Sequence, residues 1–160
     1  MLISIVTPSY HQARYIEETI QSVLSQDYPH IEYLIVDGGS TDETAGIIKK
    51  YEGQLAWWIS EKDEGQTDAI NKGFAHANGD ILAWINSDDT YEPGAVTAAA
   101  QYLRDHPDVG MVYGDCNFIN ESGQVIGKFD PAQTNYRLLR QGYTRIPQQT
   151  ISSARSYGSR

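Results

Sequence analysis

The sequence contains a single cysteine, Cys116, among its 160 residues. One cysteine cannot form a disulfide within the chain, and it cannot supply the several thiolates of a structural zinc site. We interpret Cys116 as a small buried hydrophobic residue. Long apolar runs are also missing: residues 2–6 follow no basic segment and are too few for a signal-peptide core or a transmembrane helix, and no longer run follows. We expect a cytoplasmic protein, free or peripheral at the inner face of the membrane.

Basic residues are scarce. Lysine and arginine number 12 against 21 aspartates and glutamates, so the formal net charge is −9. An acidic surface repels the phosphodiester backbone, and we therefore expect no nucleic-acid partner. The same charge disfavours any phosphate-bearing ligand unless a cation or oriented backbone amides neutralise it. With 40% hydrophobic residues, a chain of this length can build one domain with a real core.

Signatures of several common enzyme classes are absent as well. No Gly-x-Gly-x-x-Gly follows the first apolar run, and no Gly-Lys-Ser/Thr of a P-loop occurs. The Gly-x-Ser-x-Gly of serine hydrolases with an α/β sheet is missing too. His30, His76 and His106 have no metal-ligand spacing with one another or with carboxylates. Dinucleotide-binding, P-loop and serine hydrolase functions therefore have no support in the sequence.

Short apolar runs and helical patterns alternate in the first half of the chain. The runs are nearly continuous, as strands buried on both faces are, and comprise residues 2–6, 33–36, 55–59 and 81–85. Helical periodicity appears at residues 16–24 and 69–77, and Ser40 with Glu43 has the capping-box spacing that predicts a helix after the second strand. This alternation predicts an α/β fold: a mostly parallel, Rossmann-like sheet with helices on both faces.

The second half of the chain predicts fewer elements. They are a helix at residues 95–104, one strand at 109–119, a turn at 120–123 and a strand at 124–129. No linker or repeat divides the chain, so residues 1–147 are predicted to form one domain. Residues 148–160 have Ile151 as their only large aliphatic side chain, which buries too little to offset the entropy of ordering. We expect that tail to be irregular or disordered.

In an open α/β sheet, ligands bind outside the carboxyl ends of the strands, near the point where strand order reverses. The segments that follow the predicted strands are residues 7–10, 37–40, 61–66 and 86–89. The last one places Asp88 beside Asp89. Adjacent carboxylates repel each other unless a cation lies next to them, and Mg²⁺ or Mn²⁺ held by one or two carboxylates and by ligand phosphates fits this pattern. The alternative is that residues 88–90 only cap the following helix.

The other segments each allow a binding interpretation and a structural one. Asp37 precedes two glycines and can accept hydrogen bonds from a base or from ribose, but it also suits a turn. Tyr10 offers a flat ring for a base, although residues 7–10 also suit an ordinary connection. Asp68 and Asn71 are three apart and can share a helix face towards the crevice, whereas an acid in a first turn also complements the helix dipole.

The four segments occur together and in order, which is more specific than any one of them. They read Ile-Val-Thr-Pro-Ser-Tyr at 5–10, Val-Asp-Gly-Gly-Ser-Thr-Asp at 36–42, Asp-Glu-Gly-Gln-Thr-Asp-Ala-Ile-Asn-Lys-Gly at 63–73 and Trp-Ile-Asn-Ser-Asp-Asp at 84–89. With these motifs the chain resembles the family two glycosyltransferases of the GT-A fold, in a bacterial subgroup. The resemblance runs from residue 3 to about residue 149, and it includes Tyr-Gly-Asp at 113–115 and Ile-Pro-Gln-Gln at 146–149.

The resemblance implies a role for each motif residue. The nucleotide-binding set is Thr7, Pro8, Tyr10, Asp37, Gly39, Asp68, Asn71, Ser87 and Asp88. Within it, Asp37 would contact the base, commonly uracil, and Asp88 the ribose or the metal shell. Asp89 would be the principal metal ligand. Asn86 stands where the family's Asp-x-Asp motif has its first acid, which leaves one carboxylate fewer near the metal. Gly38 replaces a second acid that many members have, so sugar and nucleotide preference stay open.

The family's reaction is the inverting transfer of a sugar from a nucleoside diphosphate to an acceptor hydroxyl. The resemblance therefore implies a UDP-sugar or similar donor, Mn²⁺ or Mg²⁺, a saccharide or lipid-linked acceptor, and a role in polysaccharide or glycolipid synthesis. In this subgroup the base lies in a downstream Asp-Tyr segment, and the resemblance stops near residue 149. We expect the chain to end before that base, as a truncation, a frameshift or an early stop would leave it, with donor binding retained and transfer weak or absent. Asp115 is the one later acid that can substitute, and lining the acceptor cleft is its stronger interpretation.

Two other functions remain to be weighed. A non-catalytic module of this fold would bind nucleotide sugars or assemble with partners, perhaps as a homo-oligomer, through a sheet edge left unfilled. A nucleotidyltransferase also uses such a sheet and a metal, but it usually needs a glycine-rich, basic loop after the first strand. Residues 7–14 do not supply that loop.

Overall fold

The computed structural model describes residues 1–129 and 152–154. In that part of the chain, strands and helices alternate as far as the fourth helix, and short strands follow it. The helices are α1 (Ile16–Leu24), α2 (Thr44–Lys50), α3 (Gln66–His76) and α4 (Ala95–Asp105), with a 3₁₀ turn at Glu52–Gln54. The strands are β1 (Ile3–Ser9), β2 (Ile31–Asp37), β3 (Trp57–Ser60), β4 (Ile81–Trp84), β5 (Met111–Val112), β6 (Cys116–Ile119), β7 (Val125–Phe129) and β8 (Ser152–Ala154).

The main sheet has the strand order β3-β2-β1-β4-β8-β5. β2 and β4 pair with β1 in parallel, with Ile3 opposite both Ile31 and Ile81, and β3 is parallel to β2. The chain moves outwards from β1 through β2 to β3, and β4 then adds to the other side of β1. Strand order therefore reverses between β1 and β4, so a crevice is expected beyond Ser9 and Trp84, where these two strands end.

Both faces of this sheet are buried under apolar side chains, as the continuous apolar runs in the sequence predicted. On one face, Ile5 and Ile35 belong to a core cluster completed by α1, α2 and α4. On the other face, Val6 and Leu34 pack with residues of the α3 region. The mostly parallel α/β fold with helices on both faces is thus confirmed. No helix in the described part of the chain is both long and apolar enough to cross a membrane.

Residues 109–119 do not form the single strand that the sequence predicted. β5 has two residues in the main sheet, whereas β6 pairs with β7 in a separate antiparallel sheet. Gly114 and Asp115 lie between β5 and β6, and both residue types are depleted in strands. The turn predicted at residues 120–123 is confirmed, since Gly123 N–H donates to the Asn120 carbonyl at 2.9 Å.

The predicted tail also differs from the structure at residues 152–154. This segment is β8, which lies between β4 and β5 and pairs antiparallel with both. A ladder is made by backbone groups, so a Ser-Ser-Ala segment can join it without the apolar side chains that sequence patterns detect. β4 is therefore paired on both sides, with β1 and with β8. The rest of the tail, the boundary at 147 and the motif at 146–149 lie outside the described residues.

The helix after β2 exists, but the predicted capping box does not. α2 begins at Thr44, and no side chain caps it in the expected way. The hydroxyl of Ser40 donates to Asp37 Oδ1 at 2.5 Å, because a buried carboxylate requires hydrogen-bond donors. Asp42 provides the acceptor at the start of the helix instead. Its Oδ1 accepts from the Thr44 backbone N–H at 3.1 Å and from the Thr44 hydroxyl at 2.6 Å.

Candidate functional site

A crevice of about 510 Å³ opens at the carboxyl ends of β1 and β4, where strand order reverses. Its walls come from the segments after β1, β2, β3 and β4, as the parallel topology requires. The lining residues are Pro8, Ser9, Tyr10, Gln12, Gly38, Lys62, Asp63, Gly65, Gln66, Ala69, Asn86, Ser87 and Asp88. All four segments singled out by the sequence therefore contribute to one cavity.

A larger cavity of about 840 Å³ adjoins the crevice, and Asp88 lines both. Its walls are largely apolar and come from α4 with the neighbouring strands β1, β4 and β5. Its polar lining residues include Asp88, Asp89, Glu92, Asp115 and Asn117. Asp88 thus lies where the two cavities meet, and Asp89 lines the larger one.

The loop that carries these two acids is fixed to its surroundings. Ile85 N–H donates to the Val6 carbonyl at 3.0 Å, which extends the β4 ladder to the start of the loop. Asp89 N–H then donates to the Asn86 carbonyl at 3.2 Å, and the Thr19 hydroxyl donates to the Asp89 carbonyl at 2.8 Å. The loop does not cap α4, whose N-terminal flanking residue, Gly94, makes no side-chain cap hydrogen bond.

A line of amide side chains leads from α3 to Asp89. Gln66 Nε2 donates to Asn86 Oδ1 at 2.6 Å, and Asn86 Nδ2 donates to Asp89 Oδ2 at 3.1 Å. The first bond fixes which end of the Asn86 amide faces Gln66, so its NH₂ group is directed at the carboxylate. Residue 86 therefore orients Asp89 in this chain, where a second acid would repel it.

The charge of Asp89 also affects neighbouring groups. Burial raises the pKa of the Tyr91 hydroxyl, and the Asp89 carboxylate raises it further. The same two causes, in the same order, raise the pKa of the Cys116 thiol. Cys116 is half-exposed and lines the larger cavity, so its interpretation as a buried hydrophobic residue is wrong. It lies on the small sheet of β6 and β7, apart from the packed faces of the main sheet.

The described residues contain no group of three or more His, Cys, Asp or Glu side chains that could hold a metal ion unaided. Asp88 and Asp89 provide two carboxylates. Hard divalent cations such as Mg²⁺ are commonly bound by one or two carboxylates together with substrate phosphates and water. The donor set fits a metal that is shared with a phosphate ligand.

Asp37 does not line the crevice. Its side chain is completely buried, and its two oxygens accept three hydrogen bonds. Ser40 donates its backbone N–H to Oδ2 at 2.9 Å and its hydroxyl to Oδ1 at 2.5 Å, and the Ser60 hydroxyl donates to Oδ2 at 2.5 Å. Asp37 therefore joins the end of β2 to the end of β3. Gly39, which has a φ of 79°, forms the turn beside it and is not a lining residue either.

Thr7 points into the core instead of the crevice. It is fully buried, and its hydroxyl lies 2.9 Å from the Tyr33 hydroxyl. Burial raises the pKa of Tyr33, although the Thr7 hydrogen bond opposes that effect. Alternation along β1 explains the placement, because Thr7 shares its face with Ile5, whose side chain is in the core.

Asp68 and Asn71 are likewise absent from the crevice lining. Asp68 Oδ2 accepts from Glu64 N–H at 3.2 Å and lies 3.3 Å from Lys72 Nζ. Lys72 Nζ also lies 3.1 Å from Glu61 Oε1. The Glu64 N–H is the main cause of the lowered Asp68 pKa, and Lys72 adds to it. The structural interpretation of Asp68, as an acid at a helix start, matches these contacts.

Asp115 lines the larger cavity. Its Oδ2 is 2.5 Å from Lys128 Nζ of β7. This acid therefore lines the larger cavity and not the crevice.

Of the predicted site residues, the crevice brings together Pro8, Tyr10, Ser87 and Asp88, with Asp89 adjacent. Thr7, Asp37, Gly39, Asp68 and Asn71 do not line it. Sequence reasoning missed Ser9, Asp63 and Gln66 as lining residues. Their signal was available, because each lies in a segment that directly follows a strand.

Comparisons with known proteins agree with this geometry. The family model of Glycosyl transferase family 2 matches residues 4–155. An uncharacterised glycosyltransferase of Mycobacterium tuberculosis is 35% identical over 114 residues, which cover 70% of this chain and 44% of the relative. A Bacillus subtilis protein named as a teichuronic acid biosynthesis glycosyltransferase, TuaG, is 36% identical over 131 residues, or 80% of this chain and 52% of the relative. The chain spans about half the length of these relatives.

Solved structures give the same result for the fold. Staphylococcus aureus TarS 1–349 in complex with UDP-GlcNAc matches with a TM-score of 0.68 and 26% identity, over 78% of this chain and 37% of TarS. The mannosyltransferase PcManGT from Pyrobaculum calidifontis, in complex with GDP-Man and Mn²⁺, matches with a TM-score of 0.64 and 29% identity, over 70% of this chain and 34% of that enzyme. The GT-A fold expected from the sequence is therefore confirmed.

Proposed function

This chain belongs to glycosyl transferase family 2, and on that premise we propose that it binds a nucleoside-diphosphate sugar in the crevice between the ends of β1 and β4. The observation that carries the proposal is the position of Asp88, which lines both the crevice and the larger cavity beside it. A donor in the crevice would place its diphosphate and sugar near Asp88 and Asp89. An acceptor in the larger cavity would then approach from the other side.

A UDP-sugar is the favoured donor. The crevice has the volume of a typical small-ligand pocket. Tyr10 stands at its rim with 61% of its surface exposed, available to pack against a base. Pro8 and Ser87 line the inner wall. Related structures contain UDP-GlcNAc or GDP-Man. In this crevice Asp63 favours uracil, because its carboxylate can accept a hydrogen bond from a ring N–H.

Asp89 and Asp88 would hold Mn²⁺ or Mg²⁺. The chain carries a net charge of −9, so it cannot itself neutralise a bound diphosphate. Among the described residues, Lys62 is the only lysine on the crevice wall. A bound divalent cation would stabilise the charge that develops on the departing diphosphate. Asn86 fixes the orientation of the Asp89 side chain by donating a hydrogen bond to its Oδ2.

The reaction would be transfer of the sugar, with inversion, to a hydroxyl of a saccharide or lipid-linked acceptor. The apolar walls of the larger cavity suit an acceptor with an apolar part, and Asp115 would contact its polar end. Asp115 pairs with Lys128, so we assign it to acceptor binding and not to deprotonation. Synthesis of a polysaccharide or glycolipid is the proposed role, in line with the teichuronic acid function in the name of one relative.

Calorimetric titration of the chain with UDP, with and without Mn²⁺, tests the proposal. We expect binding that requires Mn²⁺ and that Asp89→Asn weakens by at least about tenfold, as loss of a charged ligand should. Asp105→Asn is the matched control, because Asp105 is the exposed last residue of α4 and lines neither cavity. Equal binding with and without Mn²⁺, or equal binding by Asp89→Asn, would contradict the metal assignment.

A further inference from the structure

Asp37 is the residue that the family resemblance assigns to base contact, yet its carboxylate is already occupied. It is completely buried and absent from the crevice wall. Ser40 and Ser60 together donate three hydrogen bonds to its two oxygens. These donors hold the ends of β2 and β3 together, and the carboxylate behind them exposes no surface to a base in the crevice. Base recognition therefore requires another group in this chain.

Asp63 is in the position to replace it. A β-carbon built on Gly38 would lie 2.8 Å from Asp63 Oδ2, closer than such atoms approach. The carboxylate of Asp63 thus occupies the space that a side chain at position 38 would fill, so any other residue at position 38 would force that carboxylate to shift. Both residues line the crevice.

The two oxygens of Asp63 are not equivalent. Oδ1 accepts from Gly65 N–H at 2.9 Å, which fixes the side chain on its own loop. Oδ2, the oxygen over Gly38, accepts no hydrogen bond among the contacts of the described residues. One carboxylate oxygen is therefore held by the protein while the other borders the crevice.

Ser9 provides a second group at the same place. It is 5% exposed, lines the crevice, and its hydroxyl is buried without a hydrogen-bond partner in the described part of the chain. Its backbone carbonyl accepts from Gly38 N–H at 2.8 Å, so Ser9 and Asp63 both border Gly38. Buried hydroxyls are nearly always hydrogen-bonded in folded proteins, and a ligand in the crevice would supply the missing partner.

We propose that Asp63 and Ser9 form the base-recognition pair of this site and select a uracil-type base. One oxygen that borders the crevice matches one ring N–H, and the Ser9 hydroxyl donates to the carbonyl oxygen beside it. Uracil presents one N–H between two carbonyls, whereas cytosine presents an amino group and a ring nitrogen that carries a lone pair and repels a carboxylate. This inference rests on the proposed function and names the residues that give it base specificity.

The first test is Asp63→Asn, measured as the ratio of UDP to CDP affinity with Mn²⁺ present. The asparagine carbonyl can still accept from Gly65 N–H, so the loop is preserved, while its NH₂ group would face the base. We expect UDP to bind about tenfold to a hundredfold more weakly, the usual effect of losing a hydrogen bond to a charged group. CDP binding should be unchanged or tighter. Asp105→Asn should leave the ratio unchanged.

The second test moves the carboxylate to the other side of the same space. Asp63→Ala should lose the preference for UDP, and Gly38→Asp combined with Asp63→Ala should recover part of it. Gly38→Asp alone should bind UDP more weakly than the unaltered chain, because it forces two carboxylates together. Such opposite effects of one substitution in two backgrounds are not expected if Asp63 only stabilises its loop.

The results separate the two levels of the proposal. If UDP binds with Mn²⁺ but Asp63→Asn leaves the UDP to CDP ratio unchanged, the pair is wrong and the donor site stands. Failure of Gly38→Asp to restore any preference to folded Asp63→Ala would also overturn it. If the unaltered chain binds no nucleoside diphosphate, both the donor site and the pair are overturned. Ser9→Ala should weaken UDP binding without lowering the melting temperature of the free chain, and unchanged binding would remove Ser9 from the pair.

Discussion

Asn86 donates its side-chain N–H to Asp89 Oδ2 across 3.1 Å, within a turn that Asp89 N–H closes on the Asn86 carbonyl. The Asn86 amide therefore donates a hydrogen bond to the Asp89 carboxylate. An acid at position 86 would instead repel that carboxylate. The stability of this loop should therefore depend more on a bound metal ion when residue 86 is an acid.

Asn86→Asp should make the stability of the chain depend more on Mn²⁺. Without metal, two carboxylates would meet at hydrogen-bond distance, and like charges on a protein surface repel by about 1 kcal/mol or more. A destabilisation of that size lowers the melting temperature of a domain this large by about 2–4 °C. Mn²⁺ should reverse the loss and add a larger stabilisation than it gives the unaltered chain. Thermal melts with and without Mn²⁺ measure this, and an unchanged response to metal would contradict the assigned contact.

Gln66→Ala should weaken Mn²⁺ binding although Gln66 does not contact the proposed metal site. Removal of its side chain frees the Asn86 amide to rotate away from Asp89, because the 2.6 Å bond between them is lost. Groups that orient metal ligands typically contribute tenfold to a hundredfold in affinity. Mn²⁺ titration followed by electron paramagnetic resonance, with UDP present, measures the change. Gln54→Ala, in the exposed 3₁₀ turn, is the control and should have no effect.

Thr7→Val should destabilise the fold while leaving UDP affinity unchanged. It leaves the Tyr33 hydroxyl buried without its 2.9 Å partner, which costs about 1–3 kcal/mol. Urea unfolding of the variant measures the loss, and Thr7→Val combined with Tyr33→Phe should recover part of it. A variant that keeps its stability but loses UDP binding would instead support the nucleotide-contact role that the family resemblance implied.

Asp68→Asn should lower stability at neutral pH but not in acid. The folded chain holds the Asp68 pKa below its ordinary value, chiefly through the Glu64 N–H and also through Lys72. A depressed carboxyl pKa adds stability above the unfolded value of about 3.9, and that stability is lost as pH falls through the folded value. The urea midpoints of the two proteins should therefore differ by a constant amount above about pH 5, and converge only as the pH falls through the lowered pKa of Asp68, below its ordinary value of 3.8. A constant difference at every pH would show that Asp68 acts by some other route.

Much of the fold could be predicted from local patterns. The runs around Ile5, Ile35 and Ala83 are buried strands because each lies in a short apolar segment bounded by polar turn residues. The rule that ligands bind where strand order reverses predicts that residues 7–10 and 86–89 border one crevice. Pro8 and Asp88 line that crevice as expected.

Other features required the three-dimensional structure. Thr7 and Asp37 lie in the right motifs, but strand alternation turns Thr7 into the core, and Asp37 is enclosed by Ser40 and Ser60. The contact of Asp63 with Gly38 joins residues from different loops, so no local pattern contains it. β8 was missed because pairing of backbone groups leaves no apolar signature.

We propose above all that Asp88 and Asp89 bind a divalent cation beside a nucleotide in the crevice. Paramagnetic broadening of amide signals by Mn²⁺ in the presence of UDP tests it most directly, because Mn²⁺ broadens only nearby nuclei. We expect broadening to be strongest at residues 86–89 and at Gly65 and Gln66, and the distant 3₁₀ turn at Glu52–Gln54 to be unaffected. Broadening that is uniform, centred on other acidic residues, or unchanged when UDP is left out would contradict it.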